Sequence, residues 1–157
     1  MKLEYFRLID RIVSIDLENR TIQAEALVPT TSTIFEGHFP GHPLMPGVLL
    51  IEAMAQASGW LVLALTKFTG MPLLAAVKEA KLRSFVNPGT ALMVHATLRH
   101  DGSGYAVTTA EIKSGERVVC NSELTFRLVP FPNKEFRDNL EEVAVSISLP
   151  MQAAAND

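Results

Sequence analysis

The sequence predicts an α+β fold in which an antiparallel sheet wraps around one buried helix. Two observations carry this expectation. Residues 48–65 are apolar on nearly every face, and a helix of that kind is stable in a soluble protein only when protein surrounds it. On both sides of it lie segments that alternate apolar and polar residues with period two, the pattern of half-buried strands, separated by turn-forming residues. The chain of 157 residues is long enough for one sizeable core, and with 48% hydrophobic and 20% charged residues it is not a disordered chain.

In chain order, residues 9–15 and 20–28 read as paired strands, with Asp16, Glu18 and Asn19 supplying the turn. Ile22, Ala24, Ala26 and Val28 share the inward face of the second. Residues 30–36 extend the sheet or form a loop. From Gly37 to Gly47 the breakers Gly37, Pro40, Gly41, Pro43, Pro46 and Gly47 leave room only for a tightly shaped loop. The apolar helix follows at once, with Gly70 and Pro72 expected to end it.

Residues 74–86 then form a long strand that stops at Asn87-Pro88-Gly89. The next strand carries Leu92, Val94, Ala96 and Leu98 inward, and Asp101-Gly102-Ser103-Gly104 turns it into residues 105–113. Ser114-Gly115-Glu116 turns that strand into a last one, with Val118, Cys120, Ser122, Leu124, Phe126 and Leu128 inward. After Pro130, Asn133 caps a short amphipathic helix with Phe136, Leu140 and Val143 on one face, and residues 151–157 read as a flexible tail. The expected organisation is a domain over residues 1–129 and a C-terminal extension over 130–157.

Composition narrows the function. Fourteen Lys and Arg against 17 Asp and Glu give a net charge of −3, which argues against a nucleic-acid binder. The single cysteine, Cys120, excludes an internal disulfide framework and alternates onto an apolar face, as core. The N-terminal residues have no secretory pattern, so a cytoplasmic location is expected. Residues 48–65 approach spanning length, but Glu52 and Gln56 interrupt them and no basic cluster flanks them, so no membrane span is expected.

The chemistry concentrates in the loop and the start of the helix. Desolvation of Glu52 in an apolar helix favours its neutral acid form. An imidazole has a reference pKa near about 6.5, so His38 can act as a base at neutral pH. A base and a protonated carboxyl facing one cavity can remove one proton and deliver another. Gln56, four residues after Glu52, shares its helix face and can orient the carboxyl or a water. Gly47, at the helix N-terminus, offers free amide character to a carbonyl oxygen.

Plainer readings stand beside these: a structural buried acid for Glu52 and a solvated loop residue for His38. His38 and His42 have the spacing of a metal pair, but Pro40, Gly41 and Pro43 forbid the helix such ligation needs, so no metal site is expected. His95 and His100 read as surface residues.

The run Gly37-His38-Phe39-Pro40-Gly41-His42-Pro43-Leu44-Met45-Pro46-Gly47-Val48-Leu49, continued by Glu52-Ala53-Met54-Ala55-Gln56, closely resembles the signature of the FabZ-type 3-hydroxyacyl-(acyl-carrier-protein) dehydratases. Leu8-Ile9-Asp10-Arg11-Ile12 and Lys81-Leu82-Arg83-Ser84-Phe85-Val86-Asn87-Pro88-Gly89 agree with it, so that the resemblance spans roughly residues 3–129.

The resemblance implies a hotdog fold and a homodimer or trimer of dimers, with the His and the Glu of one site coming from opposite subunits. It implies His38 as the base and Glu52 as the acid that protonates the departing hydroxyl. Gly47 would hold the thioester carbonyl, and Gln56 and Phe39 would complete the substrate site. No cofactor is implied, because the thioester already acidifies the α-proton. The implied substrate is a (3R)-3-hydroxyacyl group on acyl carrier protein, from fatty-acid or lipid A acyl-chain synthesis. Lys78, Lys81 and Arg83 are candidate docking residues for that acidic carrier, or ordinary solvated surface.

Trp60, Phe68, Met71 and Phe85 are candidates for lining the acyl site. Related FabA-type dehydratase-isomerases have Asp in place of Glu52, which argues against isomerase activity. The competing functions are a hotdog acyl-thioesterase and a non-catalytic acyl-carrier-binding subunit.

Overall fold

A computed structural model describes residues 1–151. Six antiparallel strands form one sheet: β1 (Arg11–Asp16), β2 (Thr21–Leu27), β3 (Met71–Leu82), β4 (Ala91–Gly102), β5 (Tyr105–Ser114) and β6 (Arg117–Val129). Their spatial order is β1-β2-β4-β5-β6-β3. Three α-helices accompany them among the described residues: α1 (Thr33–Gly37), α2 (Gly47–Leu65) and α3 (Lys134–Ser146). The sheet curves around α2, which touches β2 through β6. This is the hotdog arrangement.

The alternating side chains build the core as the pattern requires. Ile22, Ala24 and Ala26 of β2, Leu92, Val94, Ala96 and Leu98 of β4, and Ala106, Ala110 and Ile112 of β5 are all buried. They meet Leu50, Ala53, Met54, Ala57, Leu61 and Val62 of α2. One polar contact lies inside this layer: the Thr108 hydroxyl donates to Ser58 Oγ at 2.9 Å, joining β5 to α2 with both side chains sealed from water. By length and composition α2 is apolar enough to cross a membrane; the sheet around it makes it a core helix.

Four expectations need correction. Residues 30–36 neither extend the sheet nor form a plain loop. Ser32 caps α1 there, its Oγ accepting from Ile34 N at 3.2 Å and donating to Glu4 at 2.6 Å. The alternation in β6 breaks near its start, where a register shift opposite Ile112 and Lys113 makes Val119 the buried residue in place of Val118.

Gly70 and Pro72 do not end α2. Its C-cap is Thr66, whose hydroxyl donates to Val62 O at 2.9 Å, and Lys67 and Phe68 then turn away in left-handed conformations. Pro72 instead lies in β3, which runs from 71 to 82 rather than 74 to 86. A proline fits there because β3 is the edge of the sheet.

The edge position of β3 has a second consequence. Its residues from Leu73 to Leu82 are exposed, including Leu73, Leu74, Val77 and Leu82. A long apolar edge strand is a template for pairing with another chain.

Beyond Val129, Asn133 caps α3 by accepting from Phe136 N at 2.8 Å, as its sequence position predicts. Ala144, Ile147 and Leu149 are buried, and Ile12 of β1 donates its N–H to Ile147 O at 2.7 Å. Of the expected tail, residues 152–157 lie outside the described residues.

Candidate active site

His38 stands where α1 gives way to the loop, and its backbone N–H donates to Ile34 O to cap that helix. The loop folds back on it. Leu44 N donates to His38 O at 2.9 Å, and Phe39 and His42 exchange backbone bonds around a turn with Gly41 in the left-handed region, at φ +74°. Met45 N donates to Val86 O at 2.8 Å, which ties the loop to the chain after β3.

The imidazole Nδ1 lies 2.9 Å from Leu44 O. A carbonyl only accepts, so in the neutral imidazole Nδ1 carries the proton and Nε2 the free lone pair. The Phe39 ring stacks on the imidazole with centroids 4.2 Å apart.

His38, Phe39 and Gly47 line one cavity of about 500 Å³, together with Leu50, Leu82, Phe85 and Arg117. α2 starts at Gly47 after Pro46, which offers no side-chain cap, and the Gly47 amide has no acceptor among the described residues. That amide and the helix dipole together are chemically suited to an oxygen that gains negative charge. A Cβ at position 47 would meet the end of the Leu82 side chain, which would have to move aside. Phe39 and Phe85 are largely exposed, so one chain leaves the cavity open at its rim.

Glu52 faces elsewhere. With Gln56 it lines a groove of about 450 Å³ that runs along α2 past Gly59, Trp60 and Leu63. Met71 to Leu74 of β3 and Phe136, Leu140 and Val143 of α3 form its other sides. The carboxyl is half-buried, not sealed as a wholly enclosed helix would make it.

Gln56 Nε2 donates to Glu52 Oε1 at 3.1 Å and to Phe6 O at 2.9 Å, while its Oε1 accepts from Leu8 N at 3.0 Å. Both amide protons are thus used. The side chain locks the Glu52 carboxyl to the N-terminal segment.

The two cavities share no lining residue, so a single chain does not bring His38 and Glu52 to one place. Of the four candidate acyl-site residues, Trp60 and Met71 line the Glu52 groove and Phe85 lines the His38 cavity. Phe68 lines neither; it is buried in the core. Lys78, Lys81 and Arg83 are exposed along the edge of the sheet, but Glu79, Glu111 and Glu123 share the same hollow. Lys78 pairs with Glu123 at 3.8 Å and Arg83 Nε donates to Asn121 Oδ1 at 2.8 Å.

Sequence reasoning passed over Phe6, Leu8, Leu82, Arg117 and the α3 side chains as parts of either half. All reach the site through contacts distant in the chain, which no local pattern encodes.

A family model described as a FabA-like domain matches residues 1–123. Similar curated proteins include three named 3-hydroxyacyl-(acyl-carrier-protein) dehydratase FabZ. That of Lactobacillus helveticus is 41% identical over 109 residues, covering 69% of this chain and 73% of its own. That of Fusobacterium nucleatum is 37% identical over 122 residues, covering 77% and 85%. That of Chlamydia trachomatis is 38% identical over 127 residues, covering 79% and 83%.

Among solved structures, a thioesterase of Haemophilus influenzae superposes with a TM-score of 0.60 at 15% identity, covering 78% of this chain and 80% of that one. A conserved protein of Pseudomonas aeruginosa does so with a TM-score of 0.63 at 19% identity, covering 80% and 91%. At such identities these structures establish the fold and nothing about the reaction.

Proposed function

Because this chain belongs to the FabA-like family, we infer that it dehydrates (3R)-3-hydroxyacyl thioesters to trans-2-enoyl thioesters and water. The single observation that carries the reading is the disposition of His38. Its Nδ1 proton is spent on Leu44 O, its Nε2 is free, and it shares a cavity with the open Gly47 amide. The match to relatives named as FabZ dehydratases, at up to 41% identity, supports the same reaction.

In the reaction His38 Nε2 takes the α-proton of the substrate. The electron pair moves toward the thioester carbonyl, whose oxygen is held by the Gly47 amide. As the Cα–Cβ double bond forms, the Cβ–O bond breaks, and Glu52 donates its proton so that the hydroxyl leaves as water. The His38 imidazolium and the Glu52 carboxylate return to their starting states by exchanging a proton with water. Gln56 is a positioning residue that fixes Glu52, and Phe39 fixes the imidazole plane by stacking.

The reaction needs His38 and Glu52 on one substrate, and a second copy of the chain supplies the missing half. The exposed β3 edge and the open rim at Phe39, Leu82 and Phe85 are the surfaces such a copy would cover. Acyl carrier protein is the proposed substrate carrier, docking near Lys81 and Arg83, with the cytoplasm as the setting. Incubation of the protein with a 3-hydroxyacyl thioester tests the reading. Enoyl-thioester absorbance is the expected result; release of free thiol without it would identify a thioesterase instead.

A further inference from the structure

We propose that α3 is the outer wall of the acyl-binding groove, and that Phe136, Leu140 and Val143 determine which acyl chains the enzyme accepts. The inference rests on the dehydratase reading and adds to it the element that selects the substrate.

The groove has a polar end and an apolar length. Glu52, Gln56, Gly59 and Leu63 follow one another at intervals of four, three and four, so they form one stripe along α2. Only the first two are polar. From Glu52 to Leu63 the helix advances about 16 Å, the scale of an extended medium or long alkyl chain. A substrate whose 3-hydroxyl meets Glu52 would lay its tail along this stripe.

Facing the stripe, Phe136, Leu140 and Val143 occupy one side of α3, again at intervals of four and three. Their burial is incomplete: Phe136 is 42% exposed, and Leu140 and Val143 are half-buried. Apolar side chains that border an open groove gain further burial when an alkyl chain enters.

The wall is also held in place. The buried Ala144, Ile147 and Leu149 and the bond from Ile12 N to Ile147 O anchor its C-terminal end to β1, and the Asn133 cap fixes its start. α3 lies beyond residues 1–123, the part of the chain that the family model matches.

The test uses the full chain and compares kcat/KM for 3-hydroxybutyryl and 3-hydroxypalmitoyl thioesters. Leu140→Trp fills the groove, and Phe136→Ser, at a position with solvent access, removes apolar wall without burying a polar group. Both should lower the long-to-short ratio, Leu140→Trp by about tenfold or more, the scale on which a hydrophobic pocket discriminates chain size. Val145→Trp, on the exposed side of α3, should leave the ratio as in the parent. Thermal melting identifies any variant that fails to fold, and Phe136→Ser then carries the test.

An unchanged ratio in a folded Phe136→Ser or Leu140→Trp protein, while the parent dehydrates both substrates, overturns this inference alone. A parent that forms no enoyl product from either thioester overturns the dehydratase reading, and this inference with it.

Discussion

Gln56 holds Glu52 by a hydrogen bond of 3.1 Å across one turn of α2, and the same amide clasps the backbone of Phe6 and Leu8. The acid of the proposed reaction is therefore oriented by a side chain that is itself fixed at both ends. Gln56→Leu removes all three bonds and leaves the Leu8 N–H without its acceptor, costing about 1–3 kcal/mol of stability. Gln56→Glu still accepts from Leu8 but sets an acceptor oxygen against Phe6 O and a second carboxylate against Glu52, so the melting temperature should fall here too. For both variants kcat should drop, by up to about a hundredfold, with KM little changed. Steady-state kinetics beside thermal melts check this; a rise in KM alone would assign Gln56 to substrate binding instead.

Gly47 and Leu82 make a second, reciprocal pair. A methyl group at position 47 meets the end of the Leu82 side chain and intrudes on the cavity where His38 and the free amide lie. Gly47→Ala should cut kcat/KM by about tenfold, less than the roughly hundredfold or more that outright loss of an oxyanion donor costs, because the amide itself is kept. Adding Leu82→Ala opens room and should restore part of the loss. A double variant no better than Gly47→Ala would show that the crowding at Leu82 is not the cause.

Cys120 offers a check on the core. Burial pushes its thiol up to about 11, against a smaller opposing effect from the charge of Arg83. Only the thiolate is nucleophilic, so little of it exists at pH 8. Iodoacetamide should label the native protein far more slowly than the protein in denaturant, as read by mass spectrometry. Equal rates would contradict the packing of β6 against α2.

Much of this arrangement is legible in the sequence because side-chain periodicity reports local geometry. The inward faces of β2, β4 and β5 follow their alternation, and the long apolar run is the enclosed helix. What escapes it depends on partners far along the chain. Val119 replaces Val118 as the buried residue because of a register shift between two strands. Phe68 packs into the core because the chain reverses after Leu65 through left-handed Lys67 and Phe68, and Pro72 is tolerated in β3 because nothing pairs on its far side among the described residues.

For the site, residue types and spacing single out His38, Gly47, Glu52 and Gln56. Spacing cannot tell whether the first and third meet. Only fourteen positions separate His38 from Glu52 (52 − 38), yet Pro46 and Gly47 start a helix that carries the carboxyl to a different cavity from the imidazole.

That separation makes shared sites between subunits the central claim, and mixing inactive chains tests it most directly. His38→Ala and Glu52→Gln proteins, each inactive alone, would be co-expressed with different tags and the doubly tagged species assayed. In a two-fold dimer each mixed pair has one site with both residues intact, so random mixing should return about a quarter of parental activity across the whole population, and the purified mixed dimer about half. Mixed dimers that form but remain as inactive as either parent variant would contradict the account.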